Sequence, residues 1–206
     1  MCNLYRMTQS RSEVAKWFDA EDALGGANFG AEVFPGYPGA VVAQGKLQQM
    51  HWGFPLILKG KSGQKLKPKP VNNARSDKLD SFFWRDSFDH RRCLVPATAW
   101  AEAEGPKGGK TRTWLSLPGR ELFAFAGVWR DSDEWGACYS IVITEAAGAA
   151  AEVHTRMPVV LAQSDYRRWI EGTPSEASSL CHPWEGDIAI DRTGDAWSRG
   201  GQSRLL

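Results

Sequence analysis

The sequence predicts an α+β fold: a mainly antiparallel β-sheet or barrel with flanking helices. Three observations lead there. Strand-sized apolar runs follow one another from residue 93 to residue 162, separated by turn signals such as Gly105-Pro106, Gly108-Gly109 and Pro118-Gly119. Helical periodicity appears only in isolated stretches, without the regular strand–helix alternation of a parallel sheet. At 206 residues, 42% hydrophobic and 24% charged, the chain has globular composition and enough length to bury a core. Residues 1–206 are therefore read as a single domain.

The elements follow in order. Ser10 and Glu13 form a capping-box pattern, and Val14, Trp17 and Phe18 give the next turns an apolar face, so a helix starts here. Residues 28–39 carry Gly and Pro punctuation and read as loop. Strands are expected over 40–43 and 47–54, the second ending in Trp52-Gly53-Phe54-Pro55. A lysine-rich loop leads to Val71-Asn72-Asn73-Ala74-Arg75-Ser76-Asp77, where the spacing of Leu79, Phe82 and Phe83 predicts a short helix. Further strands are expected over 93–96, 97–103, 113–117, 122–129 and 139–144. An alanine-rich, partly helical stretch covers 144–153, a strand 157–162, and a helix begins at Ser164-Asp165, runs through Ile170 and stops at Gly172. After Trp184 the polar tail reads as loosely held from about residue 185.

Composition narrows the function. No apolar run approaches a membrane span, and the amino end lacks the apolar segment of a secretory signal, so a cytoplasmic protein with reduced thiols and no membrane partner is expected. Cys2, Cys93, Cys138 and Cys181 are scattered without paired metal-ligand spacing, so no metal site is expected. Cys93 and Cys138 lie in apolar runs and read as buried small hydrophobes. Charge is nearly balanced, 25 Lys+Arg against 24 Asp+Glu, yet Lys59, Lys61, Lys65, Lys67 and Lys69 fall in one stretch without an acidic residue. Two readings stay open for it: a solvated surface loop, or a mobile arm that contacts phosphates.

Cys2 offers a more specific chemistry. Initiator methionine is generally removed when the next side chain is small, which would leave an amine and a thiol on adjacent carbons. An α-amine titrates at about 7.7–8.0, so a useful fraction is nucleophilic near neutrality. The thiol, near about 8.5, becomes thiolate where positive charge helps. Such an aminothiol captures an aldehyde as a Schiff base and then closes a five-membered thiazolidine through sulfur. A cysteine at position two, taken alone, is better read as having no role.

Four segments change that reading: Met1-Cys2, Asn73-Ala74-Arg75-Ser76-Asp77, Arg92-Cys93-Leu94-Val95-Pro96-Ala97 continuing to Glu102, and His154-Thr155-Arg156-Met157-Pro158. With Trp52-Gly53 and Phe125-Ala126-Gly127-Val128-Trp129 in support, their order and spacing resemble the SOS-response-associated peptidase (SRAP) family over roughly residues 2–170. The resemblance implies the SRAP fold and a protein that crosslinks itself to abasic sites in single-stranded DNA through its N-terminal cysteine. Lyase activity and reversal of the crosslink accompany it. By the same resemblance Cys2 is the nucleophile, Asn73 holds the cysteine and the opened sugar, and Glu102 and His154 shuttle protons. No cofactor is implied, and a monomer is expected. Each residue also has a plainer reading: Asn73 as turn chemistry, Glu102 or Glu104 as a solvent-facing carboxylate, His154 as a cation at a helix end.

For DNA, the resemblance points to Arg75 and Ser76 in the nucleic-acid groove. Trp52 suits stacking on or wedging against an exposed base or, as one of ten tryptophans, a place in the core; Arg156 suits a phosphate or an internal pair, and Lys67 and Lys69 directly precede the Asn73 segment. The sequence departs from the family pattern in four places. Asn3-Leu4 stands for Gly-Arg, leaving Arg6 as the nearby positive charge. Asp77 stands for a glutamate, Thr155 for an aspartate, and alanines flank Glu102 where aromatic residues are usual. Two other functions remain in view. One is a cysteine peptidase using Cys2, His154 and Glu102; the other is a non-catalytic single-stranded nucleic-acid binder built on the lysine stretch and Trp52.

Overall fold

The computed structural model describes residues 2–26 and 30–197. Met1, Asn28 at the start of the expected loop, and the tail beyond residue 197 lie outside the described residues.

Five strands close into a barrel: Pro38–Ala43, Lys46–Trp52, Arg92–Ala97, Phe123–Ser132 and Gly136–Glu145. Neighbours run antiparallel, and the barrel is closed by a parallel pairing that sets Cys138 beside His51 and Tyr139 beside Trp52. Strand side chains alternate between two faces, and over most of the barrel both faces carry buried residues. Val41, Met50, Trp52, Val95, Phe125 and Ile141 share one apolar cluster with Cys2, Tyr5 and Trp100. The alternate residues Val42, Leu47, Leu94, Ala126 and Val142 share another with residues from four helices: Val14 of Arg11–Trp17, Phe88 of Arg85–His90, Trp169 of Tyr166–Glu171 and Ala177 of Pro174–Ser179. Burial on both sides explains why Arg92–Ala97 reads as a continuous apolar run.

Its one charged residue, Arg92, is buried but satisfied. The guanidinium donates to the carbonyls of Phe88, Asp89, Trp169, Ile170 and Gly172, capping the ends of two helices at once. Inside the barrel Tyr5 and Tyr139 join their hydroxyls at 2.6 Å. Gly39 faces both oxygens, and a Cβ there would overlap them.

A second antiparallel sheet has the order Ala189–Ala196, Thr111–Ser116, Ala99–Glu104, Tyr5–Arg6, Glu32–Val33. Its Ala99–Glu104 strand continues Arg92–Ala97 through Thr98, so one run of chain belongs to both sheets. Tyr5 is registered against Trp100, and Ala101 N–H donates to the Leu4 carbonyl at 2.9 Å. The amino end is thereby laid along the strand that carries Glu102.

The fold class is α+β with an antiparallel barrel, as expected, and the capping box of Ser10 and Glu13 starts the first helix. Several boundaries differ. Residues Asn73–Arg75 are extended, pairing parallel with Ile141–Ile143, and only a 3₁₀ turn, Ser76–Lys78, precedes the helix Arg85–His90. The apolar spacing misled because Phe82 is wholly exposed while Leu79 and Trp84 enter the core. In the alanine-rich stretch only Ala150–Val153 is helical, and the strand expected over 157–162 is split into Arg156–Pro158 and Val160–Leu161, on different partners. The helix Pro174–Ser179, capped reciprocally by Thr173 and Glu176, was not expected.

Two segments read as loop or tail carry strand pairings among the described residues. The lysine stretch is a hairpin arm: Phe54–Leu56 pairs with Lys69–Val71, Lys59 bridges Lys65, and Leu66 N–H donates to the Leu58 carbonyl. The tail includes Ala189–Ala196, an edge strand lying on Thr111–Ser116. Thr193 Oγ1 donates to the Arg112 carbonyl at 2.8 Å. Mostly exposed, that strand carries little apolar patterning and so looks like coil in sequence.

Candidate functional site

The site is built around the Cys2 peptide. Cys2 is buried, and its carbonyl accepts two side-chain amides, Asn72 Nδ2 at 2.9 Å and Asn73 Nδ2 at 2.9 Å. Asn72 Nδ2 also donates to Asn3 Oδ1 at 3.0 Å. The two asparagines stand where the lysine arm rejoins the barrel. Their backbone is fixed by the parallel register of Asn73 with Ile141, by Ile141 N–H donating to the Asn72 carbonyl, and by Ser140 Oγ donating to the Val71 carbonyl.

Trp52 belongs to this support and not to a DNA surface. Its ring is fully buried, edge-on to Tyr5 and stacked over Tyr139, and its Nε1 donates to the Asn72 carbonyl at 2.9 Å. The expectation that Trp52 stacks on an exposed base is corrected on that ground: no face of the ring is open. The next residue, Gly53, has φ +117° and packs against Pro70 so closely that any Cβ would collide. The sharp turn lets both strands of the arm root beside the asparagines.

Glu102 is buried, whereas Glu104 two residues on lies at the rim, accepting from Thr113 Oγ1 at 2.5 Å and Arg192 Nε at 3.1 Å. Burial pushes the Glu102 carboxyl up to about 7. Its negative charge reaches Cys2, whose thiol is pushed well above the ordinary range, first by burial and then by Glu102. A resting thiolate at Cys2 is therefore disfavoured.

His154 ends the four-residue helix Ala150–Val153 in an extended conformation. Its Nδ1 lies against the Arg156 backbone, 2.9 Å from the N–H, which donates to it, and 3.2 Å from the carbonyl oxygen. Burial lowers its pKa, the opposite of what a charged helix-end cation would show. The Lys110 ammonium, on the turn that follows the Glu102 strand, acts on both Glu102 and His154. Neither Asn72 nor Lys110 was singled out in the sequence. Asn72 had a signal, the Asn-Asn doublet; Lys110 had only its position in a glycine turn.

The residues expected at DNA are mostly exposed. Arg75 grips Asp77 through Nε and Nη2 at 2.9 and 2.6 Å, Ser76 opens the 3₁₀ turn, Lys69 is exposed at the start of the return strand of the arm, and Lys67 is exposed just before it. Arg156 is half-buried, registered opposite Glu145. Arg6, the stand-in for a missing arginine, is engaged with Glu32 at 3.0 Å and lies over Trp114.

Comparison with known proteins gives a consistent kinship. A family model described as SOS response associated peptidase (SRAP) matches residues 1–194. The chain is similar to the abasic site processing protein YoqW of Bacillus subtilis (strain 168), 28% identical over 152 residues that cover 69% of this chain and 66% of that one. It is likewise similar to the abasic site processing protein YoaM of the same organism, 26% identical over 153 residues, covering 69% and 65%. The match thus spans just under two thirds of those relatives. A crystal structure of a Bordetella bronchiseptica protein superposes with TM-score 0.77 at 20% identity, covering 93% of this chain and 99% of that one. One from Bacteroides thetaiotaomicron gives 0.75 at 18%, covering 93% and 91%. At such identities these two speak for the fold alone.

Proposed function

Taking as premise that the chain belongs to the SOS response associated peptidase family, we propose that it processes abasic sites in single-stranded DNA by capturing them covalently on Cys2. The relatives named as abasic site processing proteins support the substrate. The observation that carries the reading is the pair of amides, Asn72 and Asn73, both donating to the Cys2 carbonyl beside buried Glu102.

The chemistry begins at nitrogen. Removal of Met1 frees the Cys2 α-amine, which adds to the aldehyde of a ring-opened abasic sugar. The carbinolamine loses water to give an imine. The thiol then adds to the imine carbon as its proton passes to nitrogen, closing a thiazolidine; one water is released overall. A thiol held neutral by its surroundings suits this order, because sulfur acts only after the imine exists.

Glu102, titrating near 7, can give and take protons in both directions near neutrality. His154, its pKa lowered by burial so that the ring favours the neutral form, serves as a second proton carrier. The same pair would support strand cleavage by β-elimination and reversal of the crosslink. Arg75, Ser76, Arg156, Lys67 and Lys69 supply phosphate contacts, which read no sequence and so suit a lesion that arises anywhere.

A cysteine-peptidase role fits less well. It needs a thiolate nucleophile, and burial together with the Glu102 charge pushes this thiol the other way. The discriminating experiment is incubation with an abasic single-stranded oligonucleotide: a heat- and detergent-stable adduct supports capture, whereas Cys2-dependent turnover of peptides without an adduct supports the peptidase.

A further inference from the structure

Asn3 departs from the family pattern, and the structure gives it a partner. Its Oδ1 accepts from Asn72 Nδ2 at 3.0 Å, while the same Nδ2 donates to the Cys2 carbonyl at 2.9 Å. The amide of Asn72 thus bridges two consecutive residues of the amino end. Asn72 is itself held from behind, its carbonyl accepting Trp52 Nε1 at 2.9 Å and Ile141 N–H at 3.1 Å. The rear support comes from a fully buried indole and from a barrel strand, so the amide is presented from a rigid base.

We propose that Asn72 is a positioning residue for the reaction at Cys2, and that Asn3 acts through it by fixing the rotamer of its amide. Asn73 alone constrains the Cys2 carbonyl with one hydrogen bond, about which the peptide can pivot. A second donor on the same oxygen removes that freedom. Rotation about the Cα–C bond of Cys2 is then restricted, and with it the directions in which the α-nitrogen and Sγ face an incoming aldehyde. An oriented nucleophile reacts faster without binding its substrate more tightly. Asn3 leaves Asn72 Nδ2 committed to this geometry: one proton of the amide goes to Asn3 Oδ1 and the other to the Cys2 carbonyl.

The inference rests on the covalent capture proposed above, and the test separates the two. Single-turnover crosslinking to an abasic single-stranded oligonucleotide is measured for the wild type, Asn3→Ala, Asn72→Ala and the double variant, all with Met1 removed. Thermal unfolding is followed in parallel. Asn72→Ala is expected to slow the maximal rate about tenfold, with the half-saturating DNA concentration and final amplitude unchanged. Asn3→Ala slows it less, and adding it to Asn72→Ala has no further effect, because its influence passes through an amide already gone.

A general loss of structure predicts something else: reduced amplitude, lowered unfolding temperature and effects that multiply. If Asn72→Ala is too unstable to assay, Asn72→Leu keeps the side chain's branching and removes the donor without adding charge, and the same slowing is expected. A rate within twofold of wild type in a folded Asn72 variant overturns the inference alone, as does a double variant whose effects multiply. A wild-type protein that forms no adduct overturns the capture reading and the inference with it.

Discussion

Asn73 and Cys2, 71 positions apart in sequence, meet in a 2.9 Å hydrogen bond from Asn73 Nδ2 to the Cys2 carbonyl. The bond ties the amino end of the chain to the strand that pairs with Ile141–Ile143, and so to the barrel. It holds Cys2 by its backbone and leaves the α-nitrogen and the thiol to the chemistry.

That division of labour predicts how Cys2→Ala behaves. The variant keeps an α-amine and loses the ring-closing sulfur. Borohydride should trap an imine between it and abasic DNA, while no heat-stable adduct forms without reductant. A heat-stable adduct in the absence of reductant would contradict the proposed role of the thiol.

Glu102 predicts a pH dependence of stability. Its carboxyl is raised by burial to about 7, whereas in the unfolded chain it titrates in the usual carboxylate range. Between those limits the folded protein holds a proton that the unfolded chain has released, so raising the pH favours unfolding. Its contribution to stability is full in acid and lost as pH rises through about 7. Chemical denaturation across this window should show the wild type losing stability relative to Glu102→Gln. Parallel curves for the two proteins would remove the basis for Glu102 as a proton carrier near neutrality.

Trp52 separates support from DNA contact. Trp52→Phe loses the hydrogen bond to the Asn72 carbonyl and leaves space in the core. A cost of about 2–4 kcal/mol is expected, lowering the unfolding temperature by roughly 5–15 °C. A base-stacking role predicts the reverse pattern: unchanged stability with weakened binding of single-stranded DNA.

The lysine arm makes an electrostatic prediction. Replacing Lys65, Lys67 and Lys69 together by alanine should leave stability almost unchanged, since all three are exposed. If they contact phosphates, the slope of log affinity against log salt falls by about 2, at about 0.7 per contact on single strands. Binding titrations over a range of NaCl concentration measure it, and an unaltered slope would assign the lysines to solvent.

The sequence revealed those parts of the fold in which local chemistry and tertiary structure agree. The Ser10–Glu13 capping box begins a helix because reciprocal side-chain bonds suffice to start one. Barrel strands such as Arg92–Ala97 announced themselves as near-continuous apolar runs because both of their faces are buried. Where tertiary pairing decides, sequence was silent or misleading. Asn73–Arg75 is extended because Ile141–Ile143 pairs with it, although nearby apolar spacing suggests a helix. Ala189–Ala196 is a strand only because Thr111–Ser116 offers an edge.

At the site, Cys2, Asn73, Glu102 and His154 were legible through a resemblance of motifs, and their separate spacings alone would not have joined them. Trp52 stays open between DNA and core in the sequence, because an indole near a motif looks the same whichever it faces; its full burial decides for the core. Asn72 was passed over because its task is set by a hydrogen bond across 70 positions.

Capture of an abasic site by Cys2, freed of Met1, uses nitrogen and sulfur together, and intact-mass measurement of the protein incubated with an abasic single-stranded oligonucleotide puts this to the test. One species is expected, at the mass of the Met1-less protein plus the oligonucleotide, less one water. Met1-less protein that stays at its own mass, with the oligonucleotide recovered unchanged, would contradict it.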